Sequence, residues 1–357
     1  MIKTRVLRVA ELGPDLLARW ISCQRANCAL HSPFFRPEFA RLAVLDGPPP
    51  EVAVAEAGDE PVAFLPFVRG PYGVGWPVGG VLNDFQGLIA LAGAEVDAAQ
   101  LVHQADLHAW HFHHALAAQR AFAPYHYCAA PSMYLDLRQG FAAFRKQRAQ
   151  ASQQLCKAEQ KWRKWRRERA DVEFVAESTD RRVFETLMQW KIAQYARTGS
   201  INYLRSLATR SFLWDLVRRR APELCGVMSA IYCEGRLAAI HLGLRSCEVL
   251  HAWFPAYNMD FADYSPGMAL FMKLAEAAPA LGVTRIDLGR GSEQFKHGLG
   301  SGEVLVAEGS VDTRGLAGTL RRGSFWFVRW LRGTWLGRPV RAVANLFPAL
   351  RRWATFH

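Results

Sequence analysis

The sequence predicts a mixed α/β protein of two similar halves, each a strand meander followed by a helix and a further strand. Three observations predict it. Half of the 357 residues are hydrophobic, enough to fill two cores of ordinary domain size. Charged residues at 21% and aromatic residues at 12% exclude wholesale disorder. Short alternating runs joined by tight turns, then helix-period segments, occur in both halves.

In the first half, residues 12–26 carry apolar positions at helical spacing. Residues 51–57 and 61–68 read as strands, and Gly58, Asp59 and Glu60 between them supply hairpin chemistry. The Gly- and Pro-rich stretch 70–80 reads as loop. A short strand is expected over 85–90, a helix over 96–106 and a buried strand over 107–113.

Residues 141–170 read as one long helix. It bears Arg145, Lys146, Arg148, Lys157, Lys161, Arg163, Lys164, Arg166, Arg167 and Arg169, opposed only by Glu159 and Glu168. It is expected to be a basic connector, either a solvated face or an arm that touches nucleic-acid phosphates.

The second half repeats the plan. Residues 180–198 and 207–220 are expected helices, followed by strands over 224–232, 237–244 and 248–254. Cys233 to Arg236 and Arg245 to Cys247 suit the hairpin turns between them. A helix over 265–281 stops at Gly282, and strands are expected over 283–288 and 303–310. The expected domains are 1–140, a connector over 141–170, a second domain over 171–312, and a tail over 313–357. After Asp312 no acidic residue remains. The tail mixes arginines with Trp326, Trp330, Trp335 and Trp353, the pattern of basic amphipathic helices. Such a tail would either rest on an anionic membrane surface or pack on the first half.

A net charge of +12 favours polyanionic neighbours: nucleic acid, an anionic membrane face or phosphate-bearing ligands. The seven cysteines are scattered, with no C-x-x-C pair, as expected for reduced thiols in the cytoplasm. Lys3, Arg5, Arg8 and Glu11 leave no apolar core for a signal peptide. No run approaches the ~20 apolar residues of a spanning helix.

The chemistry is expected around Tyr264-Ser265-Pro266-Gly267. Ser265 can cap the following helix, Pro266 suits its first position, and Gly267 permits close approach of a ligand. Free amides and the helix dipole there would hold phosphate. Just before lies the strand with Trp253, running towards Tyr257. Just after lies Asp287-Leu288-Gly289-Arg290-Gly291, an Asp-x-Gly-x-Gly strand end expected to form an open rim, and then Lys296. A cation at Lys296 could face an anionic donor or a developing oxyanion.

These residues resemble a known family. The run from His241 to Gly267, with DLGRGSEQFKHGLG after it and WKIAQYARTG before it, is similar to the acyltransferase domain of cellulose-biosynthesis CelD-like proteins. That domain is of the GCN5-related N-acetyltransferase (GNAT) type. The resemblance covers about residues 140–310. The first half resembles a degenerate companion domain, in a plan similar to the tandem GNAT-like domains of FemABX peptidyltransferases.

The resemblance implies transfer of an acyl group, acetyl first, from acyl-CoA to an amine or hydroxyl of a small-molecule or saccharide acceptor. Exopolysaccharide or cell-envelope synthesis is the implied setting. No metal is implied. Tyr264, Ser265, Pro266, Gly267, Gly289, Arg290 and Gly291 would hold the carrier and Lys296 would face negative charge. His241 would be the general base and Asp287 an orienting group. Lys191, Gln194, Trp253 and Tyr257 would line the acceptor side. Many CoA-using members carry Q/R-x-x-G-x-G/A before the helix, where this chain has Asp263-Tyr264-Ser265-Pro266-Gly267-Met268. That difference keeps aminoacyl-tRNA, the Fem-type donor, as an alternative. A third possibility is a catalytically inactive scaffold docked at a membrane-bound synthase through the tail. His111 and His113 share a strand face at ligand-like spacing, but nothing nearby completes a metal site, so a structural role is expected.

Overall fold

The computed structural model describes residues 2–313 except 201 and 292, together with 315, 318, 319, 321–323, 326 and 327. The chain opens on β1 (Ile2–Arg8), α1 (Pro14–Ala26) and α2 (Pro37–Leu42). β2 (Glu51–Ala57), β3 (Glu60–Arg69), β4 (Val74–Trp76) and β5 (Ile89–Ala90) follow, then α3 (Ala98–Gln104), β6 (Ala109–Leu116) and β7 (His126–Asp136). Next come α4 (Gly140–Ala151), α5 (Gln154–Glu168), β8 (Val172–Val175), α6 (Arg181–Thr198) and α7 (Leu207–Arg218). The meander β9 (Cys225–Cys233), β10 (Arg236–Ser246) and β11 (Val249–Tyr257) leads to α8 (Pro266–Ala277). β12 (Arg285–Arg290), α9 (Gln294–Leu299) and β13 (Gly302–Asp312) complete the order.

The chain divides into two compact units. The first comprises Met1–Leu30, Phe39–Ala130 and Leu305–His357. Its core holds Leu65, Phe67, Leu101, Trp110, Phe112 and Phe122, with Ala307 and Val311 of β13. β13 pairs antiparallel with β6, from Val306 opposite Leu116 to Asp312 opposite Ala109. The expected strand 303–310 therefore closes the first unit, although it follows the second half in sequence. β1, which sequence patterning missed, pairs with β2 along its whole length. Its residues alternate between half-buried and exposed, so Lys3 and Arg5 sit on its outer face.

Within the expected loop 70–80, Val74–Trp76 forms β4. The expected strand 85–90 shrinks to β5, because Gln86 turns its side chain inward to accept from the His113 amide (3.0 Å). His111 packs its ring on Trp76 at 4.7 Å, and Gln86 Nε2 meets the His113 ring at 3.1 Å. Among the described residues no group of three or more His, Cys, Asp or Glu could hold a metal ion.

The second unit comprises His31–Glu38 and Pro131–Val304. Its sheet runs β7-β12-β11-β10-β9-β8. β12 is antiparallel to β7 and parallel to β11, and the other neighbours are antiparallel. The helices begin where the sequence supplies caps. Asp180 accepts from the Arg182 amide at 2.7 Å, and Ser206 accepts from the Thr209 amide at 3.1 Å. α6 stops at Gly199, whose left-handed φ of 67° costs no Cβ clash.

The basic stretch is not one helix. It breaks at Ser152, which is extended (φ −156°, ψ 140°) and whose hydroxyl accepts from the Gln154 amide at 3.2 Å. Nor is it wholly a solvated connector: α5 buries Leu155, Ala158 and Trp165 within the second unit. Trp165 is fully buried and stacks on Tyr264 (5.1 Å, 5° between planes) and against Phe261 (5.7 Å). The cations Lys157, Lys161, Lys164, Arg166 and Arg167 remain exposed on its other side.

The expected tail over 313–357, with its membrane or packing contact, lies outside the described residues apart from the positions named above. Among the described residues no helix is long and apolar enough to cross a membrane.

Trp165 ties α5 to the segment that starts α8. Trp165→Ala is expected to cost about 3–5 kcal/mol through lost burial and an unfilled cavity. The check is a lower urea midpoint for the second unit, with Trp165→Phe losing much less than Trp165→Ala.

Candidate active site

Backbone geometry opens the site. β11 and β12 pair in parallel only at Val249–Arg285, Leu250–Ile286 and His251–Asp287. β11 continues to Tyr257 past a register shift opposite Leu242 and Gly243. β12 shifts register against β7 between Asp287 and Gly289, where Gly289 takes a left-handed φ of 73°. Beyond the shared pairs the strands part, and the first turn of α8 enters beside their C-terminal ends. Such a switch point is where open α/β sheets bind ligands.

A cavity of about 560 Å³ occupies this place. It gathers the expected Lys191, Gln194, Trp253, Tyr257, Ser265, Pro266, Gly267 and Lys296. Its wall also includes Glu293, Phe295, Phe271, Met268 and Leu288, which sequence reasoning did not single out. Tyr264, Gly289, Arg290, Gly291, His241 and Asp287 are not among the lining residues.

At the mouth of α8, Ser265 does not cap. It sits at the N-cap position with a left-handed backbone (φ 51°, ψ 58°) and no capping hydrogen bond from its side chain. Its hydroxyl instead accepts from Lys161 Nζ at 2.6 Å. A left-handed non-glycine backbone costs about 1–3 kcal/mol and needs support. Two neighbours supply it. Pro266 disfavours the right-handed helical region for the residue before it. Tyr264 is pinned by its stack on Trp165 and by its hydroxyl, which donates to Glu168 Oε2 at 3.1 Å.

The Met268 and Ala269 amides both donate to the Ser265 carbonyl (3.0 and 3.1 Å), and Pro266 has no N–H. The Gly267 amide is therefore the first-turn donor left for a ligand. A Cβ at Gly267 would meet only the Tyr257 ring, at 3.5 Å. The positive end of the helix dipole and the exposed Lys161 ammonium make this corner electropositive.

On the other side, Lys296 projects from α9, which periodicity had not revealed. Its ammonium is buried and donates to the Arg290 carbonyl at 2.8 Å, with Glu293 Oε2 at 3.1 Å. The Asp-x-Gly-x-Gly end is not an open rim. A Cβ on Gly291 would lie 2.0 Å from Glu293 Oε2 and 2.6 Å from Lys296 Nζ, so glycine makes room for the ion pair. α9 is held from behind by Arg148 of α4, which donates to the His297 and Gly298 carbonyls (3.1 and 2.9 Å).

On α6, Lys191 is buried and donates to Gln194 Oε1 at 3.0 Å. Burial pulls its pKa from the ordinary 10.5 down to about 8.

His241 is wholly buried in β10, edge-on to Phe271 at 5.9 Å. Neither ring nitrogen has a hydrogen-bond partner among the described residues. Burial first, and neighbouring His251 second, push its pKa down to about 3. Asp287, also buried, accepts from Arg285 Nε at 2.6 Å, an orienting contact within β12.

Residues 152–297 match the family model described as an acetyltransferase (GNAT) domain. Among solved structures, FemX is similar over 89% of this chain and 100% of that one, at 9% identity and a TM-score of 0.58. A tandem GNAT protein from the clavulanic acid biosynthesis pathway is similar over 88% of this chain and 99% of that one, at 12% identity and a TM-score of 0.51. The C-terminal domain of a putative lysylphosphatidylglycerol synthetase from Agrobacterium fabrum gives 85% and 95% coverage, 11% identity and a TM-score of 0.51. At these identities the likeness is one of fold, and the fold is that of tandem GNAT proteins, as the sequence led one to expect. No curated protein matches the chain.

The buried His241 makes acid stability a direct readout of the core of the second unit. In the unfolded chain a histidine takes its proton near 6.5, whereas in the folded chain it does so near 3. Between those values the unfolded state binds more protons, so stability falls as the pH drops. The expected slope from this group is about 1.4 kcal/mol per pH unit in mid-window. Chemical denaturation at pH 7, 5 and 4 should show that slope, flattened in His241→Leu.

Proposed function

We propose that the chain is a GNAT-type acyltransferase of the CelD-like line. It moves an acyl group from acyl-CoA, with acetyl-CoA the simplest donor, to an amine or hydroxyl of a small-molecule or saccharide acceptor. Its proposed setting is exopolysaccharide or cell-envelope synthesis at the cytoplasmic side. The observation that carries this reading is the cavity that joins the first turn of α8 to the Lys296 ammonium.

Direct attack of an acceptor on a thioester or ester carbonyl needs a held carrier, an oriented acceptor and help for the oxyanion. The Gly267 amide and Lys161 suit the carrier's phosphates. The aromatic wall of Trp253, Tyr257, Phe271 and Phe295 suits its uncharged arm and the acyl group. Lys296, aimed by Arg290 and Glu293, supplies positive charge where the carbonyl oxygen becomes negative. Gln194 and Lys191 form the acceptor side, and Asp287 acts only by orienting Arg285.

One observation favours a second donor. The exposed cations of α5 run up to the carrier end of the cavity, where Lys161 reaches Ser265 and Lys164 lies 6.0 Å from the centroid of the Tyr264 ring. A polynucleotide carrier such as aminoacyl-tRNA would use that whole stripe. A non-catalytic scaffold would use neither the stripe nor Lys296.

Calorimetry of the purified chain with acetyl-CoA and longer acyl-CoA thioesters should show saturable binding. Lys296→Ala should retain that binding within a few-fold while losing about 100-fold or more in turnover with a panel of amines and alcohols. No binding of any thioester would end the CoA reading, and full turnover by Lys296→Ala would end the assigned role of that lysine.

For the tRNA reading, Lys161→Glu with Lys164→Glu should weaken tRNA binding and reduce its salt slope by about one per lost phosphate contact. An unchanged salt slope in filter binding would remove tRNA as donor.

A further inference from the structure

We infer that Lys191 is the general base that takes the acceptor's proton during acyl transfer. The inference rests on the acyltransferase reading above and gives that site the one group it still needs. Lys191 lines the cavity yet is only 7% exposed. Its amine donates to Gln194 Oε1 and lies 4.9 Å from the centroid of the Tyr195 ring. Neither neighbour carries a negative charge.

The elements packed on α6 are β10, β11, the turn Tyr203–Arg205 and α7, whose Trp214 packs against Phe184. The strands and the turn carry Arg236, His241, Arg245, His251, Tyr257, Tyr203 and Arg205, with no carboxylate among them, and α7 carries Arg210, Arg218 and Asp215, a carboxylate that is exposed and not among the cavity-lining residues. On α6 itself, Glu185 is occupied by Arg181 and Arg210. The charged residues that line the cavity with Lys191 are Glu293 and Lys296, and these are paired with each other.

The two lysines of one cavity are thus in opposite surroundings. Lys296 has a carboxylate and a carbonyl, whereas Lys191 is buried beside a neutral amide and a phenol. Burial without a counter-charge favours the neutral amine, in line with the lowered value of about 8. A base works best when its pKa lies near the operating pH. Pairs of titratable groups whose environments differ in this way mark acid and base roles. His241 does not compete, because it lies outside the cavity wall and has no path to an acceptor there.

The acceptor nitrogen or oxygen bonds to the acyl carbon while its proton passes to the neutral Lys191 amine. Lys296 faces the oxyanion. The bond from the acyl carbon to the carrier's sulfur or oxygen breaks, and the carrier leaves with its electron pair. The proton on Lys191 then returns, through solvent, to the carrier or the medium.

The test reads the lysine directly and does not need the natural acceptor. The intact chain is labelled briefly with acetic anhydride from pH 6 to 11, and the Lys191 peptide is followed by mass spectrometry. The urea-unfolded chain serves as reference. Half-maximal labelling of Lys191 is expected near pH 8, more than two units below the same residue in the unfolded chain. A half-point matching the unfolded chain, or no labelling at any pH, would overturn the assignment.

With any donor and acceptor that are turned over, kcat/KM should rise with a half-point near pH 8. Lys191→Met should lose that limb, and methylamine should restore turnover to Lys191→Ala. An unchanged pH profile in Lys191→Met would also overturn it. If no donor of either class binds, the acyltransferase reading fails, while the labelling half-point still reports the state of Lys191.

Discussion

Three residue pairs hold β11 and β12 together, and the site exists because there is not a fourth. Parallel strands that continued in register would close the sheet and leave the start of α8 against a hydrogen-bonded edge. Instead β12 turns towards β7 at Gly289 while β11 runs on to Tyr257. The gap exposes the first turn of α8 on one side and the Lys296 ammonium on the other. The chain crosses from β11 into α8 through residues 258–265, and Trp165 clamps Tyr264 next to the left-handed Ser265.

The electrostatics of the cavity depend on what stands behind it. α9 is short, and its position comes from Arg148, which bonds two of its carbonyls, and from Gly298 packed on Gln154. The α4–α5 pair therefore serves the site from two directions. Its inner face sets Lys296 and Tyr264, and its outer face presents cations at the carrier end. Lys191 lies over β10 and β11, which carry no acidic residue, whereas Lys296 has Glu293 and the Arg290 carbonyl beside it.

Much of this was legible in the sequence. The helical spans of α6 and α7 and the turns of the β9–β11 meander are local chemistry, and local chemistry is written in neighbouring residues. Trp253, Tyr257, Ser265, Pro266 and Gly267 share one cavity because the helix start at Pro266 and the strand before it are close in sequence, and Lys191, Gln194 and Lys296 are brought to it by α6 and α9. His241 is buried in β10 and is not among the cavity-lining residues, and an inward position on a strand does not by itself say whether it faces a cleft or packed side chains.

What the sequence by itself determined is the α/β composition, the repeated plan, the start of α8 and the residue types brought to it. Only the tertiary structure decided that β13 completes the first unit, that residues 141–170 fold as two packed helices, and that Glu293 answers Lys296 while Lys191 has no counter-charge among the described residues. Strand partners and counter-ions come from residues far apart along the chain. Periodicity records which face of an element is buried but carries no information about what it is buried against.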